Sequence, residues 1–242
     1  MLIAARNAIL AGGAAPGPTP AYWGLCFTAE AANSSVQLTA VGSLPAVTLV
    51  KSFDGINWEA YAVGEVIDLP STGDLVYLAA GEGGNESFGS STSAYHKFVI
   101  NGLVAASGDI TSLRRFDLEQ TTLVAHCYAS MFRGCTGLTS APELPATTLA
   151  NRCYSTMFNG CTGLTSAPEL PATTLASKCY STMFNGCTDL SLIKVHFTAW
   201  GTQTTNWVSK VSPTGTFYKP TALTEEYGTS KIPTGWTVVN ID

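Results

Sequence analysis

The chain has 242 residues, 12% of them charged and 45% hydrophobic, with a formal net charge of −5. That length buries enough surface for one large domain or two small ones. The mild acidity and the lack of a basic block exclude the electrostatic footprint of a nucleic-acid binder, and no apolar run reaches the ~20 residues of a membrane span.

Residues 1–20, MLIAARNAILAGGAAPGPTP, join a short apolar stretch to a Gly/Pro/Ala linker. Gly12 and Gly13 break the apolar region early, which makes it a poor signal peptide. Leu2, Ile3, Ile9 and Leu10 share one side of a helix too short to persist alone. A docking peptide and a merely loose terminus both fit this pattern.

Residues 21–105 switch to short strands. YWGLCFTA, SVQLTAV, AVTLVKSF, WEAYAV, EVIDL, DLVYLAA and HKFVI are bounded by Gly, Pro, Asn and Ser, and Asp54-Gly55 reads as a hairpin turn. Six or seven strands at this spacing indicate an antiparallel β-sandwich or jelly-roll-like domain. The string from Ser52 to Trp58 approximates an Asp-box turn but is one residue short before its glycine, so a plain hairpin is the better reading.

Residues 106–198 carry a repeat. Residues 121–146 read TTLVAHCYASMFRGCTGLTSAPELPA, residues 147–172 repeat them almost unchanged, and residues 173–198 follow the pattern as far as TTLASKCYSTMFNGCTDL. Cys127, Cys153 and Cys179 keep the 26-residue register, as do Cys135, Cys161 and Cys187, and Met131, Met157 and Met183. A fixed period of this size is the mark of a stacked array. Leu149, Cys153 and Met157 recur at i, i+4 and i+8, which predicts an amphipathic helix over residues 149–159, capped by Thr147 or Thr148 and ended by Gly160. Pro168 and Pro171 then forbid helix and favour a short extended edge. One helix and one strand per unit describe a short leucine-rich-repeat-like α/β solenoid, so the expected fold class is mixed. FDLEQ, residues 116–120, aligns as the end of a degenerate coil. Residues 199–242, with Trp200, Trp207, Trp236 and two Pro-Thr-Gly turns, read as a C-terminal cap.

Six of the seven cysteines sit at repeat positions eight apart. That spacing matches no common zinc signature, and an odd count argues against a complete disulfide framework. Thiols filling small buried gaps are the plain reading, and reduced thiols fit folding in a cytoplasm.

These 26-residue units resemble the BspA-type leucine-rich-repeat-like surface repeats found in gut Bacteroidetes and their phages, and NWVSKVSPTGTFYKP…IPTGWTVVN resembles the tail that follows such repeats. The resemblance covers residues 116–242. It implies adhesion and recognition at a cell or virion surface, and it carries over no catalytic residue. The poor signal peptide favours a virion protein assembled in the host cytoplasm over a bacterial cell-surface adhesin.

The chemistry-bearing residues are sparse. His96, His126 and His196 show no metal or general-base spacing, and no nucleophile elbow, zinc-protease or phosphate-loop motif occurs. No catalytic residue, metal or cofactor is therefore expected; a carbohydrate-active enzyme with carboxylates assembled from distant positions stays open as an alternative. The first two copies differ only at 124/150, 125/151, 126/152, 129/155, 130/156 and 133/159. Positions 126, 129 and 133 share one face of the expected helix. Stacking then lines up His126, Arg152 and Lys178 as a basic column, with Arg133, Asn159 and Asn185 beside it, suited to an acidic glycan or protein. The rival face is the extended side with Thr139, Ser140, Thr165 and Ser166. The expected role is a non-enzymatic phage fibre, spike or capsid-decorating adhesin. Its partners are other virion proteins through residues 1–20, a host-surface glycan or protein, and further copies of itself, as in a trimer.

Overall fold

The structure, a computed structural model, describes residues 24–115 and 121–241. The docking peptide and linker expected in residues 1–20, and the degenerate coil expected at residues 116–120, lie outside the described residues.

The first part of the chain forms eight strands: β1 (Leu25–Ala29), β2 (Ser34–Val41), β3 (Leu49–Ser52), β4 (Glu59–Tyr61), β5 (Val66–Leu69), β6 (Leu75–Ala80), β7 (Tyr95–Asn101) and β8 (Val104–Ser107). Valine, leucine and aromatic side chains fill them, which suits a pleated surface packed on one face. One sheet runs β4-β3-β6-β1-β8 and takes β9 (Leu138–Ser140) at its edge in parallel; the other runs β5-β2-β7. Phe27 of β1 meets Phe98 of β7 edge-on at 4.8 Å, which ties the two sheets into one core.

The repeats do not form the expected helix. Among the described residues there is no α-helix, only two short 3₁₀ turns at Ile110–Leu113 and Thr202–Thr204, so the mixed class and the leucine-rich-repeat-like α/β solenoid are overturned in favour of a nearly all-β chain. The segment expected as helix is a run of tight turns with a four-residue rhythm. In residues 127–135 the odd-numbered N–H groups donate to the carbonyl three residues back, as in Ala129 to His126 and Arg133 to Ser130. The even-numbered ones donate to the next copy instead: His126 to Asn151, Tyr128 to Cys153, Ser130 to Ser155, Phe132 to Met157 and Gly134 to Asn159, at 2.8–3.0 Å. The second copy repeats this pattern toward the third.

The rhythm has a backbone cause. Every fourth residue is left-handed: His126, Ser130 and Gly134 at φ 58°, 62° and 78°, then Arg152, Thr156 and Gly160 at 55°, 58° and 77°. This costs roughly 1–2 kcal/mol at each non-glycine position. The bonds between copies offset it, and Thr, Ser, Asn, Tyr and Cys are middling helix formers with little to lose. The turns carry the large side chains inward in pairs, with the small Ala129 and Ser130 covered between them. Cys127-Tyr128 and Met131-Phe132 are fully buried, whereas Arg133-Gly134 face out.

Inward side chains stack on their counterparts. Phe132, Phe158 and Phe184 lie at 5.4 and 5.7 Å, and Tyr128, Tyr154 and Tyr180 at 5.9 and 6.2 Å, with planes within 14° of parallel. Each such pair contributes about 0.5–1.5 kcal/mol beyond burial. Strand β7 and the loop before it act as the layer before the first copy, because Phe88 and Phe98 donate to Cys127 and Met131 as Tyr128 and Phe132 do to theirs. At the other end Tyr180, Thr182, Phe184 and Gly186 donate to Gln203, Thr205, Trp207 and Ser209. The segment expected as a cap thus continues the ladder with a shorter rung. Strand β10 (Leu192–Lys194) of the third copy pairs in parallel with β11 (Thr216–Lys219), which pairs in parallel with β12 (Thr237–Asn240), and Trp207 closes both aromatic columns.

Two glycines separate the constraints. A Cβ on Gly137 would stand 1.9 Å from the Gly102 carbonyl oxygen, whereas one on Gly134 meets nothing within 4 Å. Gly134→Ala should therefore cost only the left-handed penalty, about 1–2 kcal/mol. Gly137→Ala should cost clearly more, because it must part β9 from the sheet. Urea unfolding of both variants checks the order, and an equal or reversed order would contradict the packing described here.

Candidate functional site

The residues expected to form a site sit on the outward side of the turn edges. His126, Arg152 and Lys178 occupy the same left-handed position in successive copies, at φ 58°, 55° and 52°. The His126 N–H bonds the Asn151 carbonyl and the Arg152 N–H bonds the Ser177 carbonyl, so the three lie on adjacent rungs, about 5 Å apart in a hydrogen-bonded ladder. His126 and Arg152 are half-buried and Lys178 is exposed. Arg133, Asn159 and Asn185 form a second column beside the glycines Gly134, Gly160 and Gly186. Arg133 reaches the Tyr95 hydroxyl at 3.5 Å, and Asn185 donates to the Asn206 carbonyl at 3.5 Å. The structure therefore aligns both expected columns, although on turns. Position 129, expected on the same face, is buried, as are Ser130 and Ser155, whereas Thr156 and Thr182 are half-buried.

His126 is the unusual member. Its Nδ1 is buried with no protein partner, and burial, then the neighbouring Arg152 charge, hold its imidazole below the ordinary value. At neutral pH the column's charge thus rests on Arg152 and Lys178. His96, buried in the sheet core with Nδ1 3.2 Å from the Phe88 carbonyl, is depressed by burial too.

The repeat thiols are inert by construction. Cys135, Cys161 and Cys187 aim their Sγ at the carbonyls of Phe98, Phe132 and Phe158, at 3.2, 3.0 and 3.0 Å, which forms a third set of bonds between layers. Burial pushes Cys135, Cys179 and Cys187 up to about 12 and Cys127 up to about 11, and it raises Cys153 and Cys161 as well. A thiol kept protonated is a donor and a filler, not a nucleophile. Among the described residues no group of three histidine, cysteine or carboxylate side chains is placed to hold a metal ion. No helix among them is long and apolar enough to cross a membrane.

Two features escaped sequence reasoning. Glu169 pairs with Lys194 at 2.9 Å and with His196 Nε2 at 2.6 Å, and the hydrogen bonds from Lys194, then His196, lower its carboxyl. The third copy loses one residue here, since Ser166 faces Leu192 but Leu170 faces Val195, and that slip hides the pairing from a 26-residue alignment. The loop between β3 and β4 forms a shallow cleft of about 330 Å³ that includes Phe53 and Trp58. A run of aromatic and amide residues around Asp54-Gly55 was its visible trace. On the rival extended side Thr165 and Ser166 are exposed, while Ser140 is half-buried and bonds the Ala106 carbonyl. Of the aromatics near the C-terminal end, Trp207 is fully buried and Tyr227 is half exposed.

No protein-family model, no curated protein and no solved structure matches this chain.

Two measurements follow from the titratable groups. In the folded protein none of the six repeat cysteines should react with a maleimide at pH 8 within the time that denatured chain reacts fully; mass spectrometry counts the adducts, and modification of any of the six in native protein would contradict their burial. His96 and His126 favour the neutral imidazole in the folded state, so the unfolded chain takes up protons first. The thermal midpoint should therefore fall as pH drops below roughly 6.5, well before the carboxylates titrate near 4. His96→Gln should flatten that part of the profile, and an unchanged slope would show that His96 is not its source.

Proposed function

We propose that this chain is a non-enzymatic structural and adhesion protein of a phage particle, a fibre, spike or capsid decoration that presents its stacked rungs to the host surface. The observation that carries this reading is the alignment of outward side chains into columns by backbone bonds between copies. A ladder of identical rungs holds cations at fixed spacing on a rigid frame, so little ordering entropy is lost when an extended acidic ligand lies along it. The inward chemistry serves packing alone: stacked rings, protonated thiols and bonded carbonyls. Residues 1–20 serve to attach the protein to other virion proteins, and assembly of several copies turns weak contacts with a host glycan or protein into useful avidity.

The test has two arms. The chain should be found by mass spectrometry in purified particles, and a version lacking residues 1–20 should fold but fail to incorporate. Separately, the double variant Arg152→Ala/Lys178→Ala should weaken binding of the isolated protein to an immobilised acidic polysaccharide, with alginate as the probe, by about tenfold at low salt and less at high salt. Absence from particles would remove the virion role; equal binding by the double variant would remove the basic column.

A further inference from the structure

The loop joining β3 to β4 carries a second surface of different character. Phe53 and Ile56 are each 51% exposed at its tip, among the most exposed of the large apolar side chains described. One face of the Phe53 ring is covered by the Lys51 ammonium, 5.8 Å from the ring centroid, and Lys51 is in turn held by Glu59 and Glu65. Phe53 borders a cleft of about 330 Å³ that Lys51, Asn57, Trp58 and Glu59 also line. The loop is fixed by Asp54, whose carboxylate accepts from the Ile56 and Asn57 N–H groups at 2.8 Å, from Asn57 Nδ2 at 2.6 Å and from the Ser52 hydroxyl at 3.0 Å. Those bonds hold its carboxyl far below the usual range. Exposed aromatic surface on a loop held this firmly is a platform already in its working shape.

We propose that this cleft binds a neutral saccharide. A pyranose has an apolar face of C–H groups that packs on the negative face of an aromatic ring, and hydroxyls at its rim that bond amide and carboxylate groups. Phe53 and Trp58 supply the rings; Asn57 and Glu59 supply the rim. Charge selects among glycans. Asp54, Glu59 and Glu65 stand against the single cation Lys51, three negative charges and one positive, so the local balance is −2 and a uronate or sialic acid is repelled. This site goes beyond the recognition role proposed for the repeats, whose column has the opposite charge, and the two stand or fall separately.

Saturation-transfer NMR on the full chain tests it, with lactose, maltotriose, cellotriose, mannotriose and chitotriose as probes, and sialyllactose as the charged counterpart of lactose. At least one neutral probe should bind saturably, and Phe53→Ala should weaken it at least about tenfold with the thermal midpoint unchanged. Phe53→Leu, apolar but without a ring, should lose binding likewise, and Phe53→Trp should keep it. Arg152→Ala/Lys178→Ala should leave this binding intact, which separates it from the basic column. Saturable binding by none of the neutral probes, full affinity in Phe53→Ala or Phe53→Leu, or sialyllactose binding as tightly as lactose would each overturn the proposal.

Discussion

The structure depends on how each copy divides its backbone donors. Within residues 126–135 alternate N–H groups close a turn at home, and the ones between them reach to the following copy. A helix spends every donor inside its own segment and can join its neighbour only through side chains. Here the join is made by main chain, so it tolerates changes in side chains while fixing register to the single residue. The left-handed residues, the inward pairing of large side chains and the stacked rings are all consequences of that division. Phe98 of β7 and Phe88 of the loop before it extend it backward, and the C-terminal segment extends it forward through Gln203, Thr205, Trp207 and Ser209. The molecule is therefore continuous in bonding although its sequence changes character twice.

Much of this was legible and some was not. The seven strand segments read from alternation each correspond to one of β1–β7, while β8, a short VAAS beside the repeats, gave too little pattern to see. The 26-residue register aligned His126, Arg152 and Lys178 correctly because it required only that equivalent residues sit on adjacent rungs. The local structure failed for a physical reason. Apolar residues at i, i+4 and i+8 suit a helix of 3.6 residues per turn over two turns and suit a four-residue rhythm equally well. The discriminating sign was the adjacent pair, Cys153-Tyr154 then Met157-Phe158, with small polar pairs between them. A second sign was the weak helix propensity of Thr, Ser and Asn in those gaps. The missing residue in the third copy and the 24-residue spacing between Gly186 and Lys210, both left-handed, lay beyond a strict repeat search.

The two surfaces differ in kind. The outward columns carry three cations, Arg133, Arg152 and Lys178, on the turns, and the β3–β4 loop carries one aromatic patch in a negative surround. The first kind gains from an extended ligand and loses strength in salt; the second depends on shape and ring contact, which salt barely touches. Their separation along the chain means that one can change without disturbing the other.

The near identity of the first two copies has an evolutionary corollary. Because each rung meets its neighbours through the same donors, the same rings and the same thiol, gain or loss of one whole 26-residue unit leaves both flanking structures with contacts they already make. Two almost identical stretches of coding sequence are also prone to unequal exchange. The height of the molecule can thus shift in whole steps between generations, which sets the reach of its outer surface without any need to refine a new interior.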